Sequence, residues 1–437
     1  MSSDANLVTR PFSDVAEGVS GDEPGRYVVD QQTPTHVVQP DSVEQLSDLL
    51  RSANADGLKV IPWGGGSQMG VGNLPTGYDV ALDLTGLNEV LRYDPDDMTM
   101  SVQCGCRLQT LNDMLDEHRQ VLPVDTAFPD DATIGGMCAV GASGPRRLGY
   151  GPLRDLIIGM SVVSIDGVVA TAGGQVVKNV TGFDMMRMHH GALGSLGVIL
   201  SVNLKVIPKP QSERTVIATF GSLQEADQAA REVMSSQLSA TAVVVTNPLA
   251  TSAINEDLND RWAISVRCEA PPSAVVRQAE RISETVGAKA ESVRTEESTD
   301  ASLAHWRSIC LIMDQRGGSD QIAWRIGQTA SRMIDAGDSF AELNDLAGAL
   351  SLAFDYGSGL IYARIPGDSL PAGSFDQVHS VIQTAGDHAS LLTAPVEIKS
   401  QIDVFGGERA GFSMAQALKQ TFDPASTLNP GRSLGRL

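Results

Sequence analysis

The chain has 437 residues, 42 % of them hydrophobic, and a formal net charge of −21. That length admits about two or three domains with sizeable cores. The acidic balance excludes a nucleic-acid backbone or an anionic membrane surface as the main partner, but leaves room for a local basic pocket around a small anion. No apolar run reaches the roughly 18 residues of a membrane span.

Residues 1–30 read as a flexible acidic tail without a basic-then-apolar signal. `QPDSVEQLSDLLRSANADG` is expected to be a helix capped by Ser42 and Gln45, with Val43, Leu46, Leu49 and Leu50 on one face. `KVIP` is a strand running into `WGGGSQMG`, `VALDL` is a second strand, and `RLQTLNDMLDEH` is a helix. Cys104 and Cys106 are small residues closing an extended segment, because Met98, Met100 and Val102 alternate before them. `SVVSIDGVVAT` is a hairpin with Asp166-Gly167 as a two-residue turn. `GVILSVNLKVIPKP` is a strand that Pro208 and Pro210 stop, which marks a domain boundary.

Beyond the boundary, `TVIATF`, `SLQEADQAAREVM`, `TAVVVT`, `WAISVR`, `PPSAVVRQAERISETVG` and `AKAESVRT` follow the βαββαβ order of a ferredoxin-like unit. From Glu296 to Gly348 the pattern reads as helical and polar. Strands return at `LSLAFDYG` and `GLIYARIP`. No tandem repeat stands out. The five cysteines form no CxxC pair, so no iron–sulfur cluster is expected in this chain, and no metal site is expected either.

Three glycine-rich stretches carry the chemistry. `IPWGGGSQMGVG` follows a strand, and consecutive glycines let amides converge on an anionic oxygen. It fits neither GxGxxG nor the Walker pattern. `DDATIGGMCAVGASGPRRLGYGPLRD` is small-residue backbone suited to a planar ligand, with Arg146, Arg147 and Arg154 as phosphate candidates that also read as solvated surface. `GGQVVKNVTGFDMMRMHHGALGSLGVI` ends in Gly191, Gly194 and Gly197 ahead of a strand.

The order `PWGGGS`, `VALDLTGLNEVL`, `VLPVDTAFPDDATIGGMCAVGASG`, `YGPLRDLIIG`, `VVKNVTGFDMMRM`, `GSLGVILSVNLKVIPKP` and `FDPASTLNPGR` resembles the vanillyl-alcohol-oxidase / p-cresol-methylhydroxylase type of FAD-binding domain. `SGPRR`, `GGQVVKNVTGFD`, `IDVFG` and `FDPASTLNPGR` narrow the resemblance to the FAD-binding subunits of bacterial glycolate oxidase. The resemblance implies an α+β fold: a two-subdomain FAD-binding domain over 31–209, a ferredoxin-like cap domain over 210–418, and a C-terminal segment, 419–437, that returns to the FAD domain.

It further implies that Gly64, Gly65, Gly66, Ser67, Gln68 and Met69 hold the pyrophosphate. Thr133, Gly135, Gly136, Ala139, Gly141, Ser143 and Gly144 line pyrophosphate and flavin, Gly194, Gly197, Val198 and Ile199 meet the adenosine end, and Lys178 and Asn179 lie near the cofactor. Many relatives tether FAD through a histidine in the first loop. Ser67 and Gln68 stand there instead, so attachment is expected to be noncovalent, with Cys138, His189 and His190 as the other attachment points considered.

The HxGDGNxH motif of related 2-hydroxy-acid dehydrogenases is absent, and His305, His379 and His388 read as structural. Oxidising a hydroxy acid needs a base, a cation and a hydride acceptor. Trp324, Arg325, Tyr356 and Lys399 are catalytic candidates by residue type and neighbourhood. The expected function is the FAD subunit of a glycolate dehydrogenase complex, working with a partner flavoprotein and an iron–sulfur subunit, cytoplasmic or peripheral at the inner face of the plasma membrane. The alternatives are a self-sufficient oxidase of a hydroxy acid or polyol and a non-catalytic flavoprotein scaffold.

Overall fold

The computed structural model describes residues 10–437 apart from 18, 20, 176–182, 259, 314–320, 348–349, 372 and 408. The N-terminal domain has two sheets. Strands β1 (His36–Val38), β2 (Val60–Trp63) and β3 (Val80–Asp83) form a parallel sheet in the order β1-β3-β2. The helix Val43–Ala55 links β1 to β2. Ser42 caps it by accepting from the Gln45 amide, and Gln45 reaches back to the Asp41 amide. Leu46, Leu49 and Leu50 fall on its inner face and are buried. Each such side chain contributes about 1.5–3 kcal/mol on burial.

The strands that follow are β4 (Val90–Asp94), β5 (Thr99–Gln103), the short β6 (Gln120–Val121), β7 (Ile157–Val163), β8 (Val169–Gly173), β9 (Val198–Lys205) and the short β10 (Ile207–Pro208). β6 pairs with β10, and the others form an antiparallel sheet in the order β4-β5-β9-β7-β8. β9 is central there, which explains its nearly continuous burial. The turn between β7 and β8 differs from the expected two-residue form. Ser164 and Val168 close a loop of Ile165, Asp166 and Gly167, with Gly167 at φ +76°. One further residue fits because the left-handed glycine restores the strand twist.

The cap is one antiparallel sheet of β11 (Ser212–Phe220), β12 (Ala240–Thr246), β13 (Trp262–Ala270), β14 (Ser292–Glu296), β15 (Gln321–Gly327), β16 (Ser351–Asp355), β17 (Leu360–Pro366) and β18 (His388–Thr393). Its order is β14-β11-β13-β12-β16-β17-β15-β18. The first four strands make the expected ferredoxin-like unit. The last four, with the helices Met333–Ala347 and Phe375–Thr384, repeat the same βαββαβ order. The cap is therefore a duplicated unit joined edge to edge where Val245 meets Phe354. The helical reading of 296–348 holds for Thr299–Met313 and Met333–Ala347 but misses β15, hidden because Gln321 and Arg325 break its apolar run, and the repeat that did not stand out in sequence survives in topology rather than in residue pattern.

Helices cover one face of this sheet, packing on Trp324, Ile326, Phe354 and Ile361. The opposite face carries the helix Thr299–Met313, through Trp306, Ile309 and Met313, and turns the rest of its area to the N-terminal domain. A Cβ on Gly149 would lie 3.0 Å from the Thr241 Cα, so the helix Arg147–Tyr150 rests directly on β12. That contact fixes the cleft between the domains.

Candidate functional site

The first glycine loop leaves β2 at Trp63. Gly64 and Gly65 press against the second glycine stretch: a Cβ on Gly64 would stand 2.3 Å from Thr133 Oγ1, and one on Gly65 only 1.6 Å from the Asp131 carbonyl oxygen. Gly66 takes φ +74°, a conformation that favours glycine. The loop's carbonyls are turned outward by cations. Arg432 donates to the Met69 and Val71 carbonyls, and Lys399 donates to Gly70 O at 3.1 Å. Among the described residues no backbone carbonyl accepts from the amides of Gly64, Gly65, Gly66 or Ser67. Partly exposed amides left over in this way form a concavity for anionic oxygens.

The second stretch is mostly a short helix, Ile134–Val140, rather than flat backbone. Thr133 caps it by accepting from the Gly136 amide, and Gly141 closes it in the left-handed conformation at φ +68°. The third loop answers the free end of this helix: the Gly191 amide donates to Cys138 O and the Leu193 amide to Ala139 O. Gly191 and Gly194, at φ +80° and +68°, let the loop double back to do so. Leu193 thereby joins the first loop, Thr133, Gly136, Ala139, Asn429 and Arg432 in lining one cavity.

The cavity continues, through Gln68, Thr126 and Ala142, into a lower part lined by Asp125, Ser143, Gly144, Cys310, Met313 and Tyr362. Its far wall is the cap. Ser143 Oγ is buried there without a hydrogen-bond partner. On the solvent side of the first loop a second cavity of about 450 Å³ shares Gly66, Ser67 and Met69 with the first. Beside the cleft, Arg146 and Arg267 knit the two domains together with Asp125, Glu213 and Glu269. Arg146 is thus an interdomain ion-pair residue rather than solvated surface or a phosphate contact. Arg154 pairs with Asp155 at the surface.

The expected cofactor residues divide by placement. Gly64, Gly65, Gly66, Ser67, Gln68, Met69, Thr133, Gly136, Ala139, Ser143 and Gly144 line the cleft. Gly135 instead packs on Cys104, which a Cβ there would meet at 2.6 Å, and Gly141 acts as the helix terminator. Gly194 lies against Pro62 and Asn429, while Val198 and Ile199 are buried in β9. Lys178 and Asn179 fall outside the described residues. Cys138 is fully buried, and burial pushes its thiol up to about 12. His189 is buried at the edge of the Phe422 ring.

Of the catalytic candidates Arg325 and Lys399 lie on the side of the N-terminal domain, and Trp324 and Tyr356 do not. Trp324 alternates with Ile322 and Ile326 on the helix-covered face, where its Nε1 donates to His379 at 3.1 Å. Tyr356 is buried on the same side and donates to Asp227 at 2.7 Å. Lys399 is 1 % exposed and fully engaged by both oxygens of Asp30 and by Gly70 O, so its role is to clasp the loop. A Trp324→Phe variant is expected to keep its flavin and its substrate affinity while losing about 0.5–1.5 kcal/mol of stability with the bond to His379. Thermal denaturation beside a flavin titration checks this, and lost substrate affinity in a stable variant would put Trp324 back at the site.

His305 and His379 are held by side-chain hydrogen bonds within the cap. His305 bonds Ser265 at 2.8 Å, and burial lowers it to about 4. Among the described residues no His, Cys, Asp and Glu group converges as a metal site, and no helix is long and apolar enough to cross a membrane. Among the lining residues that sequence reasoning missed are Asn429, Arg432 and Tyr362. The signal for the first two was the Asn-Pro-Gly-Arg turn, where two strong side-chain donors sit in an otherwise backbone-shaping stretch. For Tyr362 it was the parity of `LIYARI`, which sets Tyr362 opposite the apolar positions Ile361, Ala363 and Ile365.

Residues 34–173 match the family FAD binding domain, and residues 209–346 match FAD linked oxidases, C-terminal domain. The chain is 24 % identical over 440 residues to glycolate oxidase subunit GlcD of Bacillus subtilis, covering 93 % of this chain and 90 % of that one. It is 26 % identical over 400 residues to glycolate oxidase subunit GlcE of Escherichia coli, covering 91 % and 99 %. The solved structure of p-cresol methylhydroxylase with substrate bound shares the fold, with a TM-score of 0.71 over 98 % of this chain and 96 % of that one at 15 % identity.

The two matched domains, in this order around this cleft, define a flavoprotein oxidoreductase whose cofactor is FAD. Along nearly its whole length the chain is similar to glycolate oxidase subunits, and it shares its fold with p-cresol methylhydroxylase.

Proposed function

We propose that this chain is the FAD-binding subunit of a glycolate dehydrogenase complex. The carrying observation is the two-part cleft: an amide-rich loop held open by Arg432 and Lys399 above, and a cap wall bearing a phenol and a nearby guanidinium below. The amides of Gly64, Gly65, Gly66 and Ser67 would hold the pyrophosphate, with Thr133 and Gly136 beside it. Ser143 and Gly144 would face the ring system. When bound, FAD supplies the hydride acceptor and the electron relay. The protein's part is to position that group, exclude water under the cap and present a cation to an anionic substrate. Partner subunits, one a flavoprotein and one an iron–sulfur protein, would take the electrons onward, at a cytoplasmic or peripheral inner-membrane location.

The purified protein is expected to be yellow and to bleach on anaerobic addition of glycolate in the presence of its partner subunits. A flavin that no hydroxy acid reduces under those conditions would favour the scaffold reading, and rapid turnover by this chain alone the self-sufficient oxidase. Attachment is expected to be noncovalent, because Ser67 and Gln68 stand at the loop position where a histidine would tether the ring. Intact mass under denaturing conditions should equal that of the bare chain; an added FAD mass would reject the expectation.

A further inference from the structure

Tyr362 on β17 stands directly across from Arg325 on β15. Both point to the face that meets the N-terminal domain. Tyr362 is 6 % exposed and lines the lower cleft beside Gln68, Ser143 and Gly144. Among the described residues its hydroxyl bonds to no protein group. The hydroxyl is open to the cavity, where a ligand oxygen can accept from it. Burial pushes it up to about 12 against the opposing pull of Arg325, so it remains a hydrogen-bond donor through neutral pH.

Arg325 is partly exposed, and among the described residues no carboxylate pairs with it. The charged groups around it do not neutralise it. Arg409 acts on the same region but is committed to the Ala389 and Phe405 carbonyls. His388 lies alongside, and burial lowers it below its ordinary value. Asp355 is the carboxyl that acts on Tyr362. Burial pushes it up to about 7, and its oxygens accept from the Gly357 amide and Ser358. A chain carrying a net charge of −21 thus keeps an uncommitted guanidinium at the cap wall.

We propose that Arg325 and Tyr362 form the receptor for a small 2-hydroxy carboxylate, the guanidinium holding the carboxylate and the phenol donating to the oxygen on the adjacent carbon. A planar guanidinium matches a carboxylate with two parallel bonds, and a charge-assisted bond of this kind is about twice as strong as a neutral one. This assignment rests on the hydroxy-acid reading above and supplies the cation that reading requires.

The test uses the FAD-loaded protein and oxalate, a redox-inert mimic of the same size, with binding followed by calorimetry. Arg325→Gln is expected to weaken oxalate by about tenfold to a hundredfold, and Tyr362→Phe by about three- to tenfold. Arg325→Lys should recover part of the loss, as a structural role would not. Flavin content and melting temperature should stay at wild-type levels in all three. Oxalate affinity unchanged in both Arg325→Gln and Tyr362→Phe overturns the assignment while leaving the hydroxy-acid reading intact. Wild-type protein that holds FAD yet binds neither oxalate nor glycolate overturns that reading and the receptor with it. Should Arg325→Gln lose its flavin, Tyr362→Phe decides the matter alone.

Discussion

A Gly65→Val chain should fold, stay soluble and emerge from purification without flavin. The reason is contact between loops rather than dihedral freedom. Gly65 does not adopt a left-handed φ, but its Cβ position lies 1.6 Å from the Asp131 carbonyl oxygen and 2.6 Å from the carbonyl carbon. Any side chain must push the first loop off the second. Overpacking of this kind costs about 1–3 kcal/mol, and a loop displaced by it no longer aligns the amides of Gly64 to Ser67. If the cost falls on binding, FAD affinity drops by about tenfold to a hundredfold. The ratio of flavin to protein absorbance and a reconstitution titration measure it. Full flavin occupancy in the variant would show that the loop is a plain turn.

Arg267→Met should be the most damaging single change outside the loops. Arg267 is 0 % exposed, stands 5.6 Å from the Trp306 ring centroid and bonds Glu213 at 2.8 Å and Asp125 at 3.2 Å. Removing it leaves three carboxylates facing Arg146 alone across the domain joint. Breaking a buried pair on one side costs about 3–5 kcal/mol. The loss should depend on pH. Burial raises the Asp125 carboxyl, but Arg267 and Arg146 outweigh it and hold it below its ordinary value. A depressed carboxylate stabilises the fold above the ordinary carboxylate range and loses that contribution as pH falls through its lowered pKa. The gap in melting temperature between wild type and variant should therefore narrow on acidification. An equal gap at neutral and acidic pH would remove Asp125 from the account.

Much of this architecture was legible because local chemistry and global position agreed. Ser42 and Ser222 announce helices by capping, and each accepts from the amide three residues on. The βαββαβ order of the first cap unit was readable because its strands are apolar on both faces near the centre of the sheet. The second unit was not, since β15 mixes Gln321 and Arg325 with Trp324. The glycine loops stood out as a set, yet their duties did not. Gly64 and Gly65 serve loop packing, Gly141 ends a helix, and Gly191 and Gly194 shape a loop that satisfies that helix's last carbonyls. Trp324 stands out by residue type and neighbourhood, but strand parity assigns it and Tyr362 to opposite faces of one sheet.

The clasp on the first loop has a consequence for the order of synthesis. Met69, Gly70 and Val71 are made early, but the cations that turn their carbonyls outward are Lys399 and Arg432. Asn429 also bonds the Leu193 carbonyl of the third loop, and Thr427 to Asn429 bridge to Val60 of β2 in parallel. A nascent chain that has not yet reached Arg432 has every glycine of the three loops but only the Lys399 half of the clasp. Cofactor capture then becomes an event of the finished polypeptide, and a ribosome stalled a few codons before that arginine would release a protein with a folded cap and a slack, colourless binding loop.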